Sequence, residues 1–149
     1  MKITIHTDGG SRGNPGLAAA AFVVLDSSRA VFFEKGQFLG QKTNNDAEYE
    51  AFQMSLLWAL ENCVKSTPEK VEKIEWKLDS MLVVEQLNKK WKIKEPRLRQ
   101  FAENIWTLLE KLPCEFTIGY VPRAENYQPD ALVNATLDKL TPEEMKNVG

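Results

Sequence analysis

Apolar and polar positions alternate from Met1 to Asp8, with Ile3 and Ile5 on one side, and then meet Gly9-Gly10. This pattern predicts a strand that runs out into the loop SRGNPG. Leu17–Asp26 and Ala30–Leu39 are β-rich and joined by Asp26-Ser27-Ser28-Arg29, which predicts a hairpin. From Asn44 the period lengthens: Ala47, Ala51, Met54 and Trp58 fall on one stripe with Leu57 and Leu60 beside it, a helix that polar residues and Pro68 stop. Val71–Asp79 alternates again through Ile74, Trp76 and Leu78. Two helices follow, Ser80 to about Lys90 and Pro96–Leu112, linked by WKIKE and closed by Pro113. Glu115–Val121 is a final strand, and Pro129 suits the first turn of a last helix ending near Leu140. Strands alternating with helices imply parallel pairs and the opening hairpin implies antiparallel ones. The expected fold is therefore α/β, a mixed sheet with helices packed on it.

A length of 149 residues, 43% hydrophobic and 27% charged, suits one globular domain. We expect that domain over residues 1–140, with 141–149 a short tail. The longest apolar run, Leu17–Leu25, has nine residues, against about 20 for a membrane span. The N-terminus reaches Asp8 and two glycines before a signal-peptide core forms, so a cytoplasmic protein without a membrane segment is expected. Cys63 and Cys114 lie far apart in no metal-ligand spacing, which favours two reduced, half-buried thiols. Trp58, Trp76 and Trp106, on apolar stripes, are assigned to the core. Charge is unevenly spread. Gln86–Gln100 holds Lys89, Lys90, Lys92, Lys94, Arg97 and Arg99 against Glu95, a local +5, so with a net charge of -2 the remainder carries -7.

Four acids fall at element ends. Asp8 closes the first strand and Asp79 the fourth; Glu48 lies near the start of the long helix and Asp130 at the start of the last. In sheets with parallel strands, sites form beyond the carboxyl ends of the strands. Singly, each acid has a plainer role: Asp8 as a turn residue, Asp79 as a helix cap, Glu48 and Asp130 as partners of helix dipoles. Four converging carboxylates would repel one another unless hard cations lay between them. Magnesium takes oxygen ligands and completes its shell with substrate phosphates, so the set points to phosphodiester chemistry.

The segments HTDGGSRGNPG (His6–Gly16), TNNDAEYEA (Thr43–Ala51), LDSMLVVEQLN (Leu78–Asn88) and VPRAENYQPDAL (Val121–Leu132) resemble the four signature blocks of type I ribonuclease H, in family order. The resemblance covers about residues 1 to 140. It implies a ribonuclease H-like fold, a five-stranded mixed sheet with helices on both faces. It also implies hydrolysis of the RNA strand of RNA/DNA hybrids, leaving 5′-phosphates, with two Mg2+ ions, or Mn2+; a monomer is expected. Asp8, Glu48, Asp79 and Asp130 align with the metal ligands. Two metals can clamp an in-line displacement without an amino-acid nucleophile, with Asp8 as the expected bridge.

Hybrid recognition requires sensing 2′-hydroxyls on one strand and deoxyribose on the other. Gly10, Ser11 and Asn14 in the first loop, with Asn44, suit the RNA strand, because glycine admits close backbone approach and the amides supply donors. Asn14 has a turn-forming alternative. Thr43 aligns with the family's pocket for a DNA-strand phosphate, although a threonine there also suits a helix cap. Lys89, Lys90, Lys92, Lys94 and Trp91 are candidate DNA-strand contacts, against the alternative of a solvated face.

The chain departs from many family members in lacking a basic helix between the second and third helices, which implies weaker hybrid binding. It also lacks a histidine in the loop before Asp130, which the family uses in product release; Arg123 and Glu125 are the candidate substitutes there, and Arg123 is also a candidate substrate contact, while His6, inside the first strand, is expected to be structural. Two other readings are a nuclease of the same fold acting on DNA and a non-cleaving hybrid-binding protein. Gly10 stands where proofreading nucleases place a second acid, integrases lack the glutamate that Glu48 provides, and a pure binder gains nothing from four acids facing phosphates.

Overall fold

The computed structural model describes residues 1–63 and 70–146; the helix stop assigned to Pro68 and the last three residues lie outside them. Five strands, β1 (Lys2–Gly13), β2 (Gly16–Leu25), β3 (Val31–Lys42), β4 (Lys73–Leu78) and β5 (Glu115–Tyr120), form one sheet in the order β3-β2-β1-β4-β5. Helices α1 (Asn44–Cys63), α2 (Met81–Leu87), α3 (Pro96–Leu109), α4 (Tyr127–Asp138) and α5 (Pro142–Lys146) complete it, with a 3₁₀ turn at Arg123–Asn126. β1 pairs antiparallel with β2 and parallel with β4, and β5 is parallel to β4, so the sheet is mixed as expected.

The two faces are packed differently. Ile3, Ile5, Phe22, Ile74 and Trp76 meet Phe52 and Leu56 of α1 and Leu98, Ala102 and Ile105 of α3 in the main core. On the opposite face Ala19 and Ala21 lie against Val133 and Leu137 of α4. These small side chains let α4 approach closely, and at Gly36 a Cβ would stand 2.4 Å from Thr136 Oγ1. With helices over both faces, β2 is buried at nearly every position, which explains its unbroken apolar run. Trp76 is fully buried. Trp58 and Trp106 are only partly buried against the core, Trp58 stacking on Phe33 with centroids 5.4 Å apart.

Some boundaries differ from expectation. β1 does not end at Asp8 but continues to Gly13: beyond Thr7 it loses β4 as a partner yet keeps β2, through Gly13↔Gly16. The tail includes α5, whose start is a reciprocal cap in which Thr141 Oγ1 accepts from the Glu144 N–H at 3.1 Å and Glu144 Oε1 from the Thr141 N–H at 3.4 Å. Cys63 and Cys114 are free thiols of intermediate burial. No helix among the described residues is long and apolar enough to cross a membrane.

Candidate active site

Parallel pairing of β1 with β4 ends at Thr7↔Leu78, so Asp8, the next residue of β1, and Asp79, the first residue past β4, stand side by side. This is the sheet's centre, where β1 keeps an antiparallel neighbour on one side and a parallel one on the other. The start of α1 reaches the same point because Gly9 admits it: a Cβ at Gly9 would stand 2.2 Å from the carbonyl carbon of Ala47. Glu48, the next residue, accepts a hydrogen bond at Oε1 from the Gly9 N–H at 3.0 Å. Its Oε2 is buried with no donor. One carboxylate oxygen each from Asp8, Glu48 and Asp79 lie within 4.8 Å of one another. Asp130, in the first turn of α4, lines the same cleft of about 540 Å³ but stands outside this trio, 3.7 Å from the Arg123 guanidinium.

Burial and mutual repulsion raise the acids' proton affinity. Desolvation, then the nearby charges of Asp79 and Asp130, pushes Asp8 up to about 7, with Arg123 acting in the opposite sense. Desolvation and the adjacent Asp8 hold Glu48 well above the ordinary carboxylate value. Asp79 is raised by burial as well, restrained by the Asn126 amide and Arg123. A trio that prefers extra protons when alone, with an oxygen directed nowhere else, suits an oxygen-ligated divalent cation. Residues and chemistry fit such an ion.

The plainer roles separate cleanly. The cap of α2 is Ser80, whose Oγ accepts from the Val83 N–H at 3.3 Å, and not Asp79. Asp8 lies within a paired strand, not in a turn. Thr43 does cap α1: its Oγ1 accepts from the Asp46 N–H at 3.1 Å, and Asp46 returns the bond at 3.3 Å. Asn44 Oδ1 accepts from the Ser11 N–H at 2.9 Å and Asn14 Oδ1 from the Asn44 N–H at 3.1 Å, so both amides tie the β1–β2 hairpin to α1. Gly10 and Ser11 line the acidic cleft.

The basic run divides. Asn88 ends α2 and Lys89 takes a left-handed backbone, φ 63°, with the Lys90 N–H donating to Glu85 O at 2.9 Å. The Lys89 ammonium sits 4.7 Å above the Trp106 ring, whose Nε1 donates to Leu87 O at 2.9 Å. Lys89 is thus built into the end of α2. Lys90, Trp91, Lys92 and Lys94 are outside it; no helix forms between α2 and α3, and Ile93 pins the segment to the core. Trp91 is 47% exposed.

Two residues carry more than the sequence indicated. Arg97 belongs to α3, not to the run's outer face, and its Nε donates to Asp46 Oδ1 at 3.0 Å, close to Thr43. Asn126 is fully buried between β1 and the acids. A buried amide four residues before Asp130 gives no periodic signal of its own.

A mixed sheet with this strand order and acids gathered at its centre defines the ribonuclease H-like class of α/β proteins. A family model described as reverse transcriptase-like matches residues 6–136. Ribonuclease HI of Halobacterium salinarum is 37% identical over 137 residues, covering 92% of this chain and 65% of that protein. The crystal structure of RNase H1 from the same archaeon superposes with a TM-score of 0.84 at 35% identity, over 94% of this chain and all of that one. LC11-RNase H1 in complex with an RNA/DNA hybrid gives 0.82 at 34% identity, over 92% and 97%. The chain belongs to the reverse transcriptase-like family. It spans just under two thirds of the length of the Halobacterium protein, 65%.

Proposed function

We propose that the chain hydrolyses the RNA strand of RNA/DNA hybrids endonucleolytically, as a cytoplasmic monomer dependent on two Mg2+ or Mn2+ ions. The observation that carries this reading is the trio of Asp8, Glu48 and Asp79 oxygens within 4.8 Å, from three different elements. Likeness to a ribonuclease H1 whose structure holds an RNA/DNA hybrid supports the substrate. Asp8, Glu48 and Asp79 would hold the ions, with Asp130 at the rim. When bound there, such ions would acidify an attacking water and offset charge on the departing ribose oxygen.

The chain's own residues supply placement. With their Oδ1 atoms engaged, Asn14 and Asn44 present NH2 groups, the donors an RNA minor groove accepts, beside the backbone of Gly10 and Ser11. Thr43, as a cap, accepts through its oxygen and still has its O–H to donate to a DNA-strand phosphate, with Arg97 supplying positive charge beside it. Lys90, Lys92 and Lys94 extend that basic path and Trp91 offers a flat face to deoxyribose. Arg123, its side chain 84% exposed at the cleft mouth, suits the scissile-strand phosphate.

The test is a gel assay with end-labelled RNA in a hybrid, in double-stranded RNA, and with labelled duplex DNA, each with Mg2+ and with chelator. Metal-dependent cleavage confined to hybrid RNA is expected. Comparable cleavage of duplex DNA would favour a DNA nuclease of this fold, and tight hybrid binding without cleavage would favour a pure binder.

A further inference from the structure

His6 and Asn126 lie 120 residues apart in sequence and form a buried pair with no part in the ion site's ligand set. His6 Nδ1 stands 2.8 Å from Asn126 Oδ1, and Asn126 Nδ2 donates to the Thr7 carbonyl at 2.8 Å. The chemistry of the acceptors orients both groups. A peptide carbonyl only accepts, so the NH2 end of Asn126 faces Thr7; an amide oxygen only accepts, so His6 Nδ1 donates. Asn126 is fully buried and His6 is nearly so. The amide is therefore held at both ends, between the strand that carries Asp8 and the turn that leads into Asp130.

We propose that His6 is a positioning residue for the acidic site: by donating to Asn126 Oδ1 it fixes the Asn126 amide with its NH2 end on Thr7 O, and so ties the turn that leads to Asp130 to the strand that carries Asp8. The proposal rests on the metal-dependent nuclease reading. Without the His6 donor, Asn126 Oδ1 is a buried acceptor with no partner, a state costly enough that the side chain turns toward water. The turn carrying Arg123 and leading to Asp130 then loses its anchor on β1. The expected damage falls on ion affinity and turnover more than on hybrid binding, most of whose proposed contacts, Arg123 apart, lie along the hairpin, α1 and the lysine segment.

The test compares His6→Phe, which keeps a ring but has no donor, with His6→Gln, whose amide can donate to the same oxygen. Expected for His6→Phe are a fall in kcat of about tenfold, a hybrid KM within twofold of wild type, and Mn2+ binding without substrate, read by electron paramagnetic resonance, weakened at least threefold. His6→Gln should recover kcat to within about threefold. Wild-type kcat and Mn2+ affinity in His6→Phe, whatever its melting temperature, would overturn the proposal. So would equal losses in both variants, since ring volume and not donation would then matter. Should His6→Phe not fold, the Asn126 side-chain amide protons of the wild-type protein decide by NMR: slow solvent exchange supports the clasp and rapid exchange overturns it. A wild-type protein that cleaves no hybrid would instead defeat the nuclease reading, and the NMR measurement would still stand.

Discussion

Glu48 accepts the Gly9 N–H at Oε1, 3.0 Å away, and leaves Oε2 buried without a donor beside Asp8. One carboxylate oxygen is spent on holding helix α1 to strand β1, and the other faces the acidic cleft. Gly9 makes the contact possible by having no side chain. Replacing it by alanine puts a Cβ 2.2 Å from the Ala47 carbonyl, and a backbone group cannot swing aside as a side-chain tip can. Gly9→Ala should therefore destabilise the fold by about 3 kcal/mol or more and displace Glu48. Chemical denaturation and hybrid cleavage should fall together; a fully active, fully stable variant would contradict the packing.

The buried acids set a pH dependence with a defined sign. Asp8 titrates ordinarily near 3.8 when unfolded and near 7 when folded, so between those values the folded state holds the extra proton. Stability of the metal-free protein should then fall as pH rises from about 4 to about 7, with the loss complete above that. Asp8→Asn removes the contribution. In chelator at pH 8 its melting temperature should exceed wild type, and the difference should shrink toward pH 4. Mg2+ should stabilise the wild type far more than the variant. A variant with the wild-type pH profile would remove Asp8 from the coupled set.

Asp79→Asn keeps the side chain's shape and removes one charge from the ion site. It should abolish cleavage while leaving hybrid binding in Ca2+ measurable. Because Ser80 caps α2, no helix start is lost, and metal-free stability should hold or rise as repulsion is relieved. Wild-type activity would exclude Asp79 from the site. A large fall in melting temperature would assign it a structural role.

Within the basic segment the lysines should not behave alike. Replacing Lys90, Lys92 and Lys94 by glutamine should flatten the dependence of binding on salt by at most about three units, at about 0.9 per neutralised phosphate, and raise KM while kcat at saturation stays near wild type. Lys89→Gln should cost about 0.5 to 1 kcal/mol of stability through the lost Trp106 contact, with little change in salt slope. An unchanged slope in the triple variant would identify the segment as a solvated face.

Trp91→Ala removes an uncharged contact. Hybrid affinity should weaken by about 1 to 3 kcal/mol if base-stacking values carry over to a deoxyribose face, with the salt slope preserved. Titrations at two or more salt concentrations separate this outcome from that of the lysines.

Most elements of this fold are legible in the chain because their causes are local. Alternation at Ile3 and Ile5 or at Ile74, Trp76 and Leu78 is the period of a half-buried strand, and the stripe Ala47, Ala51, Met54 that of a helix face. The four acids are likewise legible through the signature strings that carry the family resemblance, although Asp8 lies inside β1 and not at its end. Other features depend on partners distant in sequence. Whether β1 stops at Asp8 or runs to Gly13 depends on which neighbour it still pairs with, and that partner is β2. Lys89 reads as one more cation in a basic run until Trp106 comes to lie beneath it. Arg97 counts with the same run until α3 delivers it to Asp46, 51 residues away. Asn126 and His6 acquire meaning only when the turn before α4 packs against β1, because a buried hydrogen bond needs both its groups in place, and neighbouring residues in the chain report only one of them.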